Sequence, residues 1–333
     1  MNTYLIAEIG VNHNGSIDVA KKLIRAAKRS GASAVKFQSF KTHSIVSKQT
    51  PLANYQKENN PNLLSQYDLL KSLELSFEQQ RYLQKYCKKI QIDFISSPFD
   101  QESLDDLVNL DLKIIKIPSG EITNMPLLRK IGGLNKNLIL STGLSNMTEI
   151  SDAIDILTNS GTSKKNISIL HANTMYPTPY EDVNLSAMIN IKETFSLDVG
   201  YSDHTLGIQV SLAAVTLGAK IIEKHFTLSR DLTGPDHKAS IEPHELEEMV
   251  KGIKIIETVL GSREKYPTKS EIKNLNAVRK SIVASQFIRK GEVFSNKNLT
   301  TKRPGDGISP MLWDSVIGTE AKYDFYLDDK IIL

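Results

Sequence analysis

The sequence predicts an α/β fold, a (β/α)8 TIM barrel joined to a small C-terminal β-rich domain. Three observations carry this expectation. Short apolar runs alternate with amphipathic helical stretches, the pattern of repeated βαβ units. Eight such runs fall within about 260 residues, the usual length of this barrel. Beyond Gly261 the pattern changes to a polar, charged stretch and then to short β-like runs separated by turns.

The expected strands are residues 4–9, 34–37, 93–96, 113–117, 138–141, 167–171, 198–201 and 220–225. Helices between them carry readable punctuation. Ser16 caps a run closed by Gly31, and Ser76-Phe77-Glu78-Gln79 has capping-box spacing. Thr148 opens a helix closed by Gly161, and Pro243 suits the first turn of a helix running to Leu260. A doubly wound open sheet competes, but Gly10-Val11-Asn12-His13-Asn14-Gly15 lacks the G-x-G-x-x-G spacing that such a sheet places after its first strand. The expected organisation is therefore a catalytic barrel over 1–261, a linker over 262–276 and a small domain over 277–333. In the last, residues 281–284 and 292–294 read as strands, with turns at Lys290-Gly291 and Pro304-Gly305-Asp306-Gly307.

Composition removes several classes of function. The net charge is only +3 over 333 residues, and the basic residues are scattered along helix faces, so nucleic acid is not an expected partner. No apolar run approaches the ~20 residues of a membrane span, and no signal-peptide pattern opens the chain. The expected compartment is the cytoplasm, with no membrane association. Cys87 is the one cysteine, so an intrachain disulfide is excluded; its amphipathic surroundings suit a buried, inert thiol.

In barrel enzymes the chemistry sits at the C-terminal ends of the strands. Polar residues crowd those positions here. In strand order they are Glu8; Lys36 and Gln38; Ser96 and Ser97; Lys116, Ser119 and Glu121; Ser141 and Thr142; His171, Asn173 and Tyr176; Ser202, Asp203 and His204; and Glu223, Lys224 and His225. Neighbouring strands seven and eight bring His204 and His225 to one rim, where imidazoles suit Zn, Mn, Fe or Co; His171 is a rival or additional ligand. Lys36 and Lys116 interrupt apolar strands. A buried ammonium needs an anion, either a substrate phosphate or carboxylate, or an ion pair with Glu8 or Glu121. Ser119, Ser141 and Ser202 offer further donors to phosphate oxygens. These residues alone point to an anionic substrate activated by a Lewis acid.

The motifs, in order, resemble those of the bacterial sialic acid synthases. They include Ala7-Glu8-Ile9-Gly10, Val35-Lys36-Phe37-Gln38, Ser96-Ser97-Pro98-Phe99 and Lys116-Ile117-Pro118-Ser119-Gly120-Glu121. Tyr176-Pro177-Thr178-Pro179, Gly200-Tyr201-Ser202-Asp203-His204-Thr205, Glu223-Lys224-His225-Phe226-Thr227, Gly234-Pro235-Asp236-His237 and Lys302-Arg303-Pro304-Gly305 complete the set, which spans nearly the whole chain. The resemblance implies an antifreeze-like (SAF) domain after the barrel and a domain-swapped homodimer, each small domain capping its partner's barrel. It implies Mn²⁺, or another divalent ion such as Mg²⁺ or Co²⁺, on His204 and His225. It places phosphoenolpyruvate against Lys36, Ser97, Lys116, Ser119, Ser141 and Ser202, and an N-acylated aminosugar against Gln38, Tyr176, Asp236 and the partner-supplied Arg303. Glu8 and Glu121 are the candidate acid/base groups, unranked. Three departures from the family pattern stand out: Ser97 replaces a common threonine, His171-Ala172-Asn173-Thr174 replaces a cysteine-containing version, and Asp306 replaces a frequent asparagine.

The leading expectation is N-acetylneuraminate synthase, condensing phosphoenolpyruvate with open-chain N-acetylmannosamine and releasing phosphate. The alternative is N,N'-diacetyllegionaminate synthase, using 2,4-diacetamido-2,4,6-trideoxymannose. Two remoter readings are a Schiff-base aldolase with Lys116 as nucleophile and a non-enzymatic sugar-binding protein.

Overall fold

A computed structural model of the chain describes residues 3–52 and 65–333. Eight parallel strands close into a barrel in sequence order: β1 Tyr4–Gly10, β2 Ala34–Ser39, β3 Asp93–Pro98, β4 Ile114–Ile117, β5 Asn137–Ser141, β6 Ile167–Ala172, β7 Asp198–Asp203 and β8 Ile221–His225. Closure is made by β1 against β8, with Glu8 opposite His225. Each strand matches an expected one, most of them extending a residue or two further at the C-terminal end. Most of those extra residues are polar (Gln38, Ser39, Ser97, Ser202 and Asp203), which is why apolar patterning stopped short of them.

The helices are cut where the sequence supplies caps. Helix α1, Ile17–Ser30, starts at Ser16, whose side chain accepts from the Val19 N–H, and ends at Gly31 in the left-handed conformation. Residues Thr42–Ile45 (α2) and Gln66–Leu73 (α3) follow β2, and Phe77–Ile90 (α4) opens on the expected Ser76–Gln79 capping box. Next come α5 Gln101–Asn109, α6 Met125–Gly132 and α7 Met147–Asn159. Asn146, not Thr148, caps α7, because its side chain accepts from two backbone N–H groups and Glu149 closes the box. The barrel continues with α8 Ser186–Phe195, α9 Gln209–Thr216 and α10 Pro243–Val259. Cys87 is buried on α4, and burial pushes its thiol up to about 12, so it is chemically inert.

The period-two alternation of the strands divides the barrel into two cores. Leu5, Ala7, Val35, Phe37, Ile115, Ile117, Leu138, Leu140, Ile169, Val199 and Ile222 pack outward against the helices. Their alternates turn into the lumen, where Ile6, Ala34, Ile95, Ile139, Leu170 and Ile221 form an apolar plug. Two residues further along, all but one of these strands turn polar, at Glu8, Lys36, Ser97, Ser141 and Glu223, with Lys116 on β4 and Ser202 on β7; β6 places Ala172 there. The sequence thus builds a dry floor and a charged upper layer from one alternating pattern.

By contact density the chain divides into Met1–Gly261 and Ser262–Leu333. The second unit has its own core of Ile282, Ala284, Ile288, Phe294, Leu299, Val316, Ala321, Phe325 and Ile331. Antiparallel strands β9 Ser281–Ala284 and β10 Leu299–Lys302 lie against that core. The expected strand at 292–294 is corrected: only a single bridge, Val293 to Glu320, forms there, and Phe294 is spent on the core. Strand β10 escaped notice because Thr300-Thr301-Lys302 carries no apolar alternation. The 262–276 stretch, expected as a linker, contains the helical turn α11 Lys269–Ile272, and α12 Leu275–Val278 begins at its end. A last short helix, α13, spans Trp313–Val316.

Candidate active site

The polar upper layer of the barrel opens into a cavity of about 160 Å³. Glu8, Lys36, Gln38, Phe99, Lys116, Pro118, Ser119, Gly120, Ser141, Thr174, Tyr176, Ser202, His204, Glu223 and His225 line it. Ten of the expected site residues are therefore brought together. Ser97 joins them just beneath, with its Oγ 3.4 Å from Lys36 Nζ, and Asp236 approaches His225 at 3.9 Å.

At the base lies a buried cluster of two lysines and two glutamates. Lys36 Nζ is 2.9 Å from Glu8 Oε1 and 3.8 Å from Glu223 Oε2, while Lys116 Nζ is 3.4 Å from Glu223 Oε1. Ser202 Oγ donates to Glu223 Oε1 at 2.9 Å, and Gln38 Nε2 donates to Glu8 Oε1 at 3.3 Å. Burial raises the Glu8 carboxyl above its ordinary range, against the pull of Lys36. Burial also opposes the charge of Glu223, but Lys116 and Lys36 together hold it down to about 2. Burial takes Lys116 down to about 8 in spite of Glu223. It works against Lys36 as well, yet Glu223 and Glu8 carry that ammonium above its usual value. The two carboxyls are thus pushed apart, Glu223 ionised and Glu8 inclined to hold a proton. One oxygen of each, Glu8 Oε2 and Glu223 Oε2, is buried without a hydrogen-bond partner, as is Ser141 Oγ. Such atoms suit a ligand that brings its own donors and acceptors.

Backbone placement keeps this layer open. Gly10 adopts a φ of +53°, and a Cβ there would come within 3.1 Å of Glu8 Oε1 and 3.3 Å of Gln38 Nε2. At Gly143 the backbone N–H donates to Ser119 Oγ at 3.0 Å, and a Cβ would strike Thr174 at 2.6 Å.

Above the charges, His204, His225 and Tyr176 form an aromatic wall. The two imidazole centroids are 5.4 Å apart, and Tyr176 packs 4.2 Å from His204 and edge-on, 5.5 Å, from His225. Burial lowers His204 to about 4; burial and the neighbouring His204 take His225 well below its usual value. Both rings are therefore neutral, the form that ligates metal. His204 Nδ1 lies 2.5 Å from the Asn173 carbonyl oxygen, so Nδ1 carries the proton and Nε2 keeps its lone pair. His225 Nδ1 is buried without a hydrogen-bond partner. This donor pair fits a divalent ion. Among the described residues no group of three or more His, Cys, Asp or Glu side chains is arranged to hold one. Two imidazoles would leave the other coordination positions to substrate and water.

Several expectations need correction, four of them because of strand phase. Ser96, His171, Asp203 and Lys224 belong to the outward phase of their strands. Ser96 Oγ meets Ser39 Oγ at 2.6 Å, and His171 Nε2 bonds the Val183 carbonyl oxygen at 2.8 Å, which removes His171 as a rival ligand. Glu121 does not line the cavity; it sits in a 3₁₀ turn after β4, where its Oε2 accepts from Asn124 Nδ2 at 2.6 Å. Lys116 accordingly finds its anion in Glu223 rather than Glu121. Glu223 is the principal residue that sequence reasoning left out of the site. Its sharing of a strand face with His225, two positions on, was the available signal. In the second unit, exposed Arg303 donates from Nε to the Val278 carbonyl oxygen at 3.0 Å, and Asp306 pairs with Lys330 at 2.7 Å.

Comparison with known proteins agrees with this geometry. The NeuB family model matches residues 23–280 and the SAF domain model residues 279–329. Among similar proteins, the N,N'-diacetyllegionaminic acid synthase of Campylobacter jejuni subsp. jejuni serotype O:2 is 52% identical, covering 99% of this chain and 98% of its own. The protein of the same name from Legionella pneumophila subsp. pneumophila is 46% identical over 96% of this chain and 90% of its own. A crystal structure of N-acetylneuraminic acid (sialic acid) synthetase from Leptospira borgpetersenii serovar Hardjo-bovis, in complex with citrate, superposes with a TM-score of 0.73 at 32% identity. It covers 83% of this chain and 91% of its own. A closed barrel with a charged lumen, a SAF domain following it in the sequence and these relatives lead to one assignment: the chain belongs to the NeuB family, that of the sialic acid synthases.

Proposed function

We propose that the chain is an N,N'-diacetyllegionaminate synthase, joining phosphoenolpyruvate to 2,4-diacetamido-2,4,6-trideoxymannose with release of phosphate. The reading rests most heavily on the Lys36–Glu8–Glu223–Lys116 cluster lying directly beneath two neutral imidazoles. The relatives at 52% and 46% identity, both named for legionaminic acid, reverse the order of the two sugars expected from the sequence.

In this reading the phosphate and carboxylate of phosphoenolpyruvate lie against Lys36 and Lys116, with the hydroxyls of Ser97, Ser119, Ser141 and Ser202 as donors. A divalent ion, Mn²⁺ by preference, held on His204 and His225 would supply Lewis-acid polarisation of the sugar aldehyde. Carbon-3 of phosphoenolpyruvate bonds to the aldehyde carbon, whose oxygen takes up a proton. Water adds at carbon-2, and the carbon–oxygen bond to phosphate breaks to leave the 2-keto acid. Glu8, which burial inclines to hold a proton, stands where it can exchange one with the reactants, and ionised Glu223 fixes both lysines. Tyr176 and Asp236, the latter pushed up to about 7 by burial and by Glu8, border the sugar side.

The experiment is phosphate release from phosphoenolpyruvate with each sugar and Mn²⁺. Turnover with the diacetamido sugar should exceed that with N-acetylmannosamine by at least ~10²-fold in kcat/KM, since a site built to pair an amide rejects an analogue lacking it. Preference for N-acetylmannosamine would restore the first reading.

The homodimer is likewise a proposal, in which Arg303 completes the partner's site. Mixing Arg303→Ala and His225→Ala chains should then recover about a quarter of parental activity, because random pairing gives half hybrids with one intact site each. Verified hybrids without activity would refute domain exchange.

A further inference from the structure

Two charged residues beside the histidines take no part in the cavity. Asp203 and Lys224 immediately precede His204 and His225, lie opposite each other on β7 and β8, and belong to the outward phase of those strands. Both side chains are fully buried, with Lys224 Nζ 2.8 Å from Asp203 Oδ2. Asp203 Oδ1 accepts from the Thr205 backbone N–H at 2.9 Å and the Thr205 hydroxyl at 2.8 Å, and Oδ2 accepts from Ser211 Oγ on α9 at 2.6 Å. Lys224 Nζ also donates to the Thr205 carbonyl oxygen at 2.8 Å. The residue before His204 and the residue after it are both tied to the residue before His225.

A buried ion pair is a weak source of stability, since packed apolar side chains often serve as well. What this one supplies is a frame. Strand β7 ends at Asp203, so His204 lies beyond the ladder; its carbonyl oxygen accepts from the Thr178 N–H at 2.9 Å, and the contacts of Asp203 and Thr205 tie the same turn to β8. We propose that the Asp203–Lys224 pair, with Thr205 and Ser211, is the positioning clamp of His204. It locks the turn to β8 so that the ring keeps its 5.4 Å separation and 57° tilt to His225 and its Nδ1–H bond to Asn173. The inference rests on the proposed function only for the use of the two rings as metal ligands; the clamp itself stands on the contacts.

The test compares the parent with Lys224→Met, the double variant Asp203→Asn/Lys224→Met, and Thr205→Val. Lys224→Met strands a buried carboxylate and should lower Tm; the double variant leaves no lone charge and should recover most of the loss. Long-range ¹H–¹⁵N spectra, with His204 assigned through His204→Gln, should show a single Nδ1-protonated tautomer in the parent. They should show a mixture or broadening in the double variant despite its recovered Tm. Mn²⁺ affinity by calorimetry should fall by ~10–100-fold in the double variant, the usual effect of removing a group that orients a ligand. Thr205→Val, which removes a single donor, should show both changes in milder form and decides the matter if the double variant does not fold. An unchanged His204 tautomer and unchanged Mn²⁺ affinity in a folded variant would make the pair merely structural and overturn the proposal. Should the parent itself bind no Mn²⁺, the proposed function fails, while the ring spectra still judge the clamp.

Discussion

Replacing His225 or His204 by alanine should lower kcat by ~10³-fold or more while leaving KM for phosphoenolpyruvate within a few-fold of the parent, because Lewis-acid activation is worth several kcal/mol in the transition state. The split follows from the layering of the site. The imidazoles stand with Tyr176 at the ends of β7 and β8, whereas Lys36, Ser97, Lys116 and Ser141, which would grip phosphoenolpyruvate, lie on β2 to β5. Both histidines are buried and neutral, so their removal strands no charge. Steady-state phosphate release by chelator-stripped and Mn²⁺-reloaded protein reads the effect. A variant that keeps a parental response to Mn²⁺ would take the metal away from this pair.

Removing Lys36 should have an equally large but differently distributed effect. Lys36 is in contact with both carboxylates of the cluster, at 2.9 Å to Glu8 and 3.8 Å to Glu223. Truncating one member of a buried charge pair costs about 2–5 kcal/mol, so Lys36→Met should lower kcat/KM for phosphoenolpyruvate by ~10²–10³-fold, chiefly through KM. The same substitution should destabilise the fold by about 3–5 kcal/mol through the carboxylates left behind, moderated where Glu8 takes up a proton. Adding Glu8→Gln should then recover stability without recovering affinity. Thermal denaturation and substrate titration on the two variants distinguish these effects. Parental KM in Lys36→Met would remove the lysine from the anion site.

The fold was legible because the strands obey a simple rule. Apolar runs bounded by caps and turns announce eight βα units, and the largest boundary differences, two residues each on β2, β3 and β7, fall where rim residues extend a strand. The site was legible at Lys36 and Lys116, where an ammonium interrupts an apolar strand and demands an anion. It was poorly legible in Glu223-Lys224-His225, where three consecutive polar residues look alike. Only strand phase tells that Glu223 and His225 face the lumen while Lys224 turns to Asp203. The same phase removes His171, and a local 3₁₀ turn removes Glu121. Neither is visible in composition or spacing, because both depend on where the strand stops. In the small domain, strand β10 shows the converse: threonines and a lysine can pair a strand whose partner, β9, supplies the apolar face.

The central claim is that the charged layer beneath His204 and His225 carries out a condensation in which the carbon–oxygen bond of phosphoenolpyruvate breaks. The direct measurement uses phosphoenolpyruvate labelled with ¹⁸O at the bridging position, incubated with the protein, Mn²⁺ and the diacetamido sugar. The account predicts sugar-dependent release of phosphate that carries the label. Unlabelled phosphate, with ¹⁸O retained in the keto acid, or release that ignores the sugar, would contradict it.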